Sequence, residues 1–245
     1  FRYLISHCGH NFIFKYNSRL RATILHPILT SYFLMESFVR LFKFFVYLAL
    51  PLLVAVSLLK TSHASDQTLT PFLKEALAER IIGSDKAKLT VVEYFSFTCP
   101  ACGRFHTDVY PKLKEKYVDT GLVKFEFRDF PLDQWALRAS ALARCVPSKF
   151  YEPMVSVLMK QQSIWAGSED VGAALLKLGQ LAGLNEEKAR KCMDDTQLLD
   201  GIIKARMEGN TKYGIDTTPS FLIGGKRIKA FEFEKLDKAI QQELK

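Results

Sequence analysis

Phe95-Ser96-Phe97-Thr98-Cys99-Pro100-Ala101-Cys102-Gly103-Arg104-Phe105 places two cysteines two residues apart, directly after the apolar run Leu89 to Phe97. Such a pair can bind zinc, attach haem, staple a loop or shuttle electrons. Haem attachment needs histidine after the second cysteine, and Gly103 stands there. Zinc wants a second CxxC or a histidine pair. The other thiols beyond residue 65, Cys145 and Cys192, are single and distant, and His106 alone does not complete a set. No metal is expected. A staple closed over two residues adds little loop entropy.

Redox exchange has a positive mechanism. Leu89 to Phe97 is β-branched, aromatic and short, which predicts a buried strand, and Gly103 to Tyr117 is amphipathic and helical. Cys99 then falls at the N-cap, with Pro100 at the first helical position, where its missing N–H costs nothing. The N–H groups of Ala101 and Cys102 can point back at the Cys99 sulfur. Those donors and the helix dipole stabilise a thiolate and lower its pKa. Cys102, one turn in, is expected to be less exposed and able to resolve a mixed disulfide.

Glu93 lies in the strand, six residues before Cys99. Buried beneath the cysteines, it has a raised pKa and moves protons during exchange; the alternative is a strand residue leaning to solvent. Pro219 follows Thr218 at the start of a later strand, where it cannot serve an interior ladder. A cis bond there brings a backbone edge beside the cysteines, and a trans proline in a loop is the alternative. Arg104 and His106 read as solvated helix residues, with tuning of Cys99 as the competing role. Trp135 and Trp165 read as helical core or interdomain packing.

The chain has 245 residues, 48% apolar and 24% charged, with a net charge of +8. Residues 1–64 hold seven basic residues and one acid, and residues 65–245 hold 27 bases against 25 acids. The excess sits in the leader, so no nucleic-acid partner is expected. From Met35, the basic stretch MESFVRLFK leads into the uncharged run Phe44 to Leu59, and Ser62-His63-Ala64 offers small residues at the −3 and −1 positions. Residues 35–64 therefore read as a signal peptide cleaved after Ala64, against the alternative of a retained anchor. Residues 1–34 read as a mis-assigned extension with no stable fold, leaving Cys8, His7, His10 and His26 without a role; a metal-binding leader is the alternative. Export delivers the four remaining cysteines to an oxidising space.

The pattern predicts a helix from Thr70 to Gly83, the strand and helix around Cys99, and a strand from Leu122 to Phe130. From Asp133 about 80 residues favour helix throughout. SFLIGG and KRIKAF then read as two strands joined at Gly224-Gly225, with a last helix from Glu232. The fold class is α/β, a layered sheet with an all-helical insertion after its second strand. The divisions are 65–132, the helical insertion 133–213, and 214–245.

An acid in a strand, CxxC at a helix start, a helical insertion and Thr-Pro before a strand resemble, in that order, the thioredoxin-like fold. VVEYFSFTCPAC and TTPSFLIGG resemble the active-site strand and cis-proline segment of the DsbA family of secreted thiol–disulfide oxidoreductases. The resemblance covers roughly residues 70–245. It implies Cys99 as nucleophile, Cys102 as resolving cysteine, Glu93 as the buried acid, and Pro219 as the cis-proline with Thr218 ahead of it. It implies a monomeric periplasmic enzyme without a cofactor. Such an enzyme oxidises unfolded or newly exported cysteine-containing proteins and is recharged by a quinone-linked membrane oxidase. It also implies a second disulfide, Cys145–Cys192, which stabilises the fold by roughly 4 kcal/mol in the chain-entropy model. The dipeptide Pro100-Ala101 departs from the best-known family version, which has histidine where Ala101 stands; the loss of that charge softens oxidising power. An isomerase or reductase on the same fold, and a non-catalytic surface protein, are the rival functions.

Overall fold

Sheet pairing organises the chain around one central strand. The computed structural model describes residues 69–245 and the isolated Lys43. The expected extension 1–34, the cleavage after Ala64 and the rest of the signal segment lie outside the described residues. Strand β1 is Arg80–Ile82, β2 is Leu89–Phe95, β3 is Val123–Asp129, β4 is Ser220–Ile223 and β5 is Lys226–Ile228, in the order β1-β3-β2-β4-β5. β2 runs parallel to β3 and antiparallel to β4, so both its edges are paired. Six of its seven residues are buried, which is why it reads as an unbroken apolar run.

The Thr70–Gly83 expectation needs correction. Helix α1 covers only Pro71–Ala76, capped by Thr70, whose Oγ1 accepts from the Leu73 N–H. Arg80–Ile82 instead pairs antiparallel with Phe125–Phe127 of β3. Tertiary pairing prevails over the local helical pattern there. The final strands keep their predicted places, and β5 is short.

After β2 the chain is helical from Pro100 to Val118, but not as one regular helix. Helix α2 is Pro100–Arg104 and α3 is Tyr110–Leu113, separated by a π-helical turn, Phe105–Val109, and followed by a second, Lys114–Val118. Pro111 has no N–H to give and its ring crowds the carbonyl four residues back, so the chain widens before it. The Tyr110 N–H accordingly reaches the Phe105 carbonyl, five residues back.

The insertion consists of α4 (Gln134–Arg144), α5 (Tyr151–Lys160), α6 (Gln162–Trp165), α7 (Val171–Leu181), α8 (Glu186–Asp194) and α9 (Thr196–Tyr213), and α10 (Phe233–Glu243) closes the chain. Asp133, Asp170, Asn185 and Asp195 cap α4, α7, α8 and α9 through their side-chain oxygens. A Cβ on Gly209 of α9 would stand 2.6 Å from the Tyr94 ring, so glycine lets α9 lie against the sheet. Trp165 is buried and donates its Nε1–H to the Leu158 carbonyl at 2.8 Å; Trp135 is half-buried. Cys145 and Cys192 are joined, S–S 2.05 Å, linking the end of α4 to α8. Among the described residues, no helix is long and apolar enough to cross a membrane.

Two buried arginines tie the insertion to the sheet. Arg144 donates to Asp129 at 2.6 Å and to the carbonyls of Ala76 and Ala78 at 2.8 and 3.1 Å. Arg80 donates to the Arg144 carbonyl at 3.0 Å and to Ser148 at 2.9 Å, and its guanidinium stacks 5.0 Å from the Tyr151 ring. Removing one partner leaves the other charge buried and alone. Arg144→Ala is expected to lose about 3–5 kcal/mol of stability, read as a lowered urea midpoint; an unchanged midpoint would show the pair to be dispensable.

Candidate active site

The end of β2 delivers Cys99 to the start of the Pro100–Val118 helical run. Cys99 is the N-cap in extended conformation, φ −78° and ψ 117°, with Pro100 next. The two cysteines are free thiols, Cys99 7% exposed and Cys102 fully buried. An attacking sulfur therefore reaches Cys99 first.

Their environments pull the two thiols apart. The Cys99 pKa is lowered to about 5. A hydrogen bond from the Cys102 thiol is the largest cause; the Thr218 side chain and the N–H groups of Cys102 and Ala101 add to it, and burial opposes it. Burial raises the Cys102 pKa well above the usual thiol value, and the same hydrogen bond and the charges of Glu93 and Cys99 raise it further.

Thr218-Pro219 is a cis peptide that lies against Cys99. The protonated Cys99 Sγ donates to the Thr218 carbonyl at 3.2 Å. Thr218 Oγ1 has no hydrogen-bond partner beside the neutral thiol, so its hydroxyl is available to the sulfur once that is ionised. Arg227 holds the loop before Pro219, donating to the Gly214 carbonyl and to Asp216.

Glu93 is fully buried on the face of β2 that also carries Val91 and Phe95. The solvent-facing alternative is thereby excluded. Burial raises its pKa, and the neighbouring His106 opposes the rise. The solvated reading of His106 is corrected: it is 3% exposed, and its Nε2 lies 3.1 Å from Glu93 Oε2. Four residues after the buried Cys102, His106 falls on the same inward face of the helical run; its polarity alone suggests solvent. Arg104 is exposed and stacks 5.7 Å from the Phe231 ring.

Gln162, from α6, has no counterpart in the sequence reading. Its Nε2 donates to the carbonyls of Phe97 and Cys99 at 2.8 and 2.9 Å, bracketing the nucleophile from the helical insertion. A Cβ on Gly103 would lie 2.7 Å from Gln162 Oε1, so glycine admits the amide. No local sequence pattern marks such a long-range clamp; only the unexplained Gly103 hints at a close approach.

A family model described as Thioredoxin matches residues 75–242. The chain belongs to the thioredoxin family. Its structural neighbours include DsbA proteins: the crystal structure of Wolbachia pipientis alpha-DsbA1 superposes with a TM-score of 0.63 at 27% identity, covering 68% of this chain and 90% of that one. Disulfide bond formation protein D of Bacillus subtilis is 29% identical over 175 residues, 67% of this chain and 77% of the relative. A Rickettsia bellii relative is 31% identical over 172 residues, 68% of this chain and 64% of the relative. The chain thus spans less than two thirds of that relative's length.

Gln162→Leu removes the donor shown to the Phe97 carbonyl and leaves the Cys99 carbonyl with the Gly103 N–H alone. The expected loss is about 1–3 kcal/mol, measured by urea unfolding of the reduced protein; a loss below a few tenths would mean that water replaces the amide without cost.

Proposed function

We infer that the chain is an exported thiol–disulfide oxidoreductase that introduces disulfides into newly secreted proteins through Cys99 and Cys102. The observation that carries this reading is the placement of the two thiols: Cys99 at the helix start, 7% exposed beside the cis Thr218-Pro219, and Cys102 one turn in and fully buried, a setting that lowers the pKa of the first and raises that of the second. In the oxidised enzyme a substrate thiolate attacks Cys99 Sγ. The Cys99–Cys102 bond breaks, and its electron pair leaves on Cys102, which takes up a proton. A second substrate thiolate then attacks the substrate sulfur of the mixed disulfide. The substrate disulfide forms, and Cys99 departs as a thiolate. A low leaving-group pKa speeds that last step. The substrate loses two electrons, and the enzyme disulfide gains them and becomes the dithiol.

Glu93 serves as the proton acceptor and donor for Cys102. The backbone at Thr218 lies beside Cys99 and offers a carbonyl to an extended substrate strand, and Pro219 places no competing N–H there. Pro100 starts the helical run, and Ala101 lends its N–H to the thiolate. The Cys145–Cys192 bond acts as a structural disulfide. The working form is a monomer in the periplasm, cleaved after Ala64 and recharged by a quinone-linked membrane oxidase. Names carried by relatives, such as disulfide bond formation protein, support the same class of activity. Ala101 adds no positive charge near the sulfur, which favours a milder couple and keeps a reductase or isomerase as the second reading.

Equimolar oxidised enzyme mixed with a reduced, unfolded protein is expected to transfer its disulfide, seen by mass after thiol alkylation. Cys99→Ser and Cys102→Ser, neither of which can hold the disulfide, are expected to transfer nothing; offered a disulfide-bonded substrate instead, reduced Cys102→Ser accumulates the mixed disulfide on Cys99. Transfer by Cys99→Ser at the original rate would sink the assignment. Equilibration with glutathione decides direction: a couple as reducing as thioredoxin's, about −270 mV, favours the second reading.

A further inference from the structure

His106 is a buried titratable group that the exchange scheme does not use. Its ring is enclosed by Phe95 of β2 and Phe127 of β3, with centroids at 5.7 and 6.1 Å, and by Phe105 and Tyr110, both at 5.3 Å. Among the described residues, the charged side chain that meets it is Glu93, with Nε2 and Oε2 3.1 Å apart. That contact is off the line of a full hydrogen bond, so both carboxyl oxygens of Glu93 lack a hydrogen-bond partner. A lone carboxylate in such an apolar box is costly and would hold its proton.

We propose that His106 is a positioning residue for thiol exchange, sharing a proton with Glu93 so that the carboxyl can accept and return the proton of Cys102. This rests on the exchange reading above. When Cys102 displaces a bound substrate, its S–H proton passes to the Glu93 carboxylate. The Cys102 sulfur attacks Cys99 Sγ, the Cys99–Cys102 bond forms, and the Cys99–substrate bond breaks with its electron pair on the substrate sulfur. In the opposite direction Cys102 leaves with the electron pair and recovers the proton from Glu93. With the shared proton on His106, Glu93 is a carboxylate and ready to accept. Without His106, burial keeps the carboxyl protonated and the acceptor is lost.

The other titratable groups around the pair do not supply this counter-charge. Cys99 and Cys102 face Glu93 from the active-site turn, and both are acids. Tyr110 of α3 and Tyr151 of α5 also face it, and burial raises both phenols, so they stay neutral near neutral pH. The Tyr110 hydroxyl is turned to Glu152, 3.4 Å away.

The test uses the full chain carrying a mixed disulfide between Cys99 and a cysteine peptide, with peptide release followed across pH. An opposite charge at this range moves a carboxyl by about one to three pH units. His106→Gln is therefore expected to slow release at least about tenfold near neutral pH, more than it slows the first attack by Cys99, with the gap closing as pH rises. Glu93→Gln with His106→Gln is expected to be no slower than Glu93→Gln alone. Carbon-13 NMR of the Glu93 carboxyl is expected to show a higher titration midpoint in His106→Gln. Superimposable release profiles, or an unmoved Glu93 midpoint, overturn the assignment. If His106→Gln does not fold, NMR of the unmodified protein decides: Glu93 and His106 signals must titrate together, and independent titration refutes the pair. A wild-type protein that forms no mixed disulfide would instead defeat the exchange reading itself.

Discussion

The anion at Cys99 Sγ is held by the Cys102 thiol, then by the Thr218 side chain and the N–H groups of Cys102 and Ala101, against the cost of burying it. These donors come from two chain segments more than a hundred residues apart, and the fold exists around that meeting point. The sign of the linkage follows. The folded value is about 5, against about 8.5 for a thiol in an unfolded chain. A depressed value stabilises the reduced fold fully above the unfolded value; the gain shrinks as pH falls and is gone below the folded value. The oxidised fold has no such anion, so near neutral pH the protein gains by taking electrons.

The surroundings keep those donors in place. β2 is paired on both edges, which fixes where its end delivers Cys99. Gln162 brackets that end from the insertion, and Arg144 with Arg80 fastens the insertion to β3, α1 and the segment before β1. The helical block is thereby part of the site rather than an appendage. Below the sulfurs, Glu93 and His106 form a second polar layer inside an aromatic shell.

What the sequence disclosed was local. β2 shows as an apolar run because both faces are covered, Cys99-Pro100 marks a helix start because proline belongs there, and the change to helical pattern from Asp133 marks the insertion. Thr218-Pro219 stood out because a proline cannot serve an interior ladder. The hidden features depend on distant partners. Arg80–Ile82 carries a helical pattern and becomes a strand only because β3 offers an edge. His106 lies one turn after the buried Cys102 on the same inward face, but a lone polar residue there reads as solvated until the distant Glu93 is seen to meet it. Gln162 reaches 63 positions back to Cys99, and nothing in its own neighbours shows it.

The most direct measurement is iodoacetamide alkylation of the reduced protein across pH, with Cys99 followed by peptide mass. The rate is expected to rise with a midpoint at about 5 and to stay flat through neutral pH, while Cys102 remains unlabelled. A midpoint at an ordinary thiol value of about 8.5 would contradict the stabilised anion, and with it the chemistry built on it.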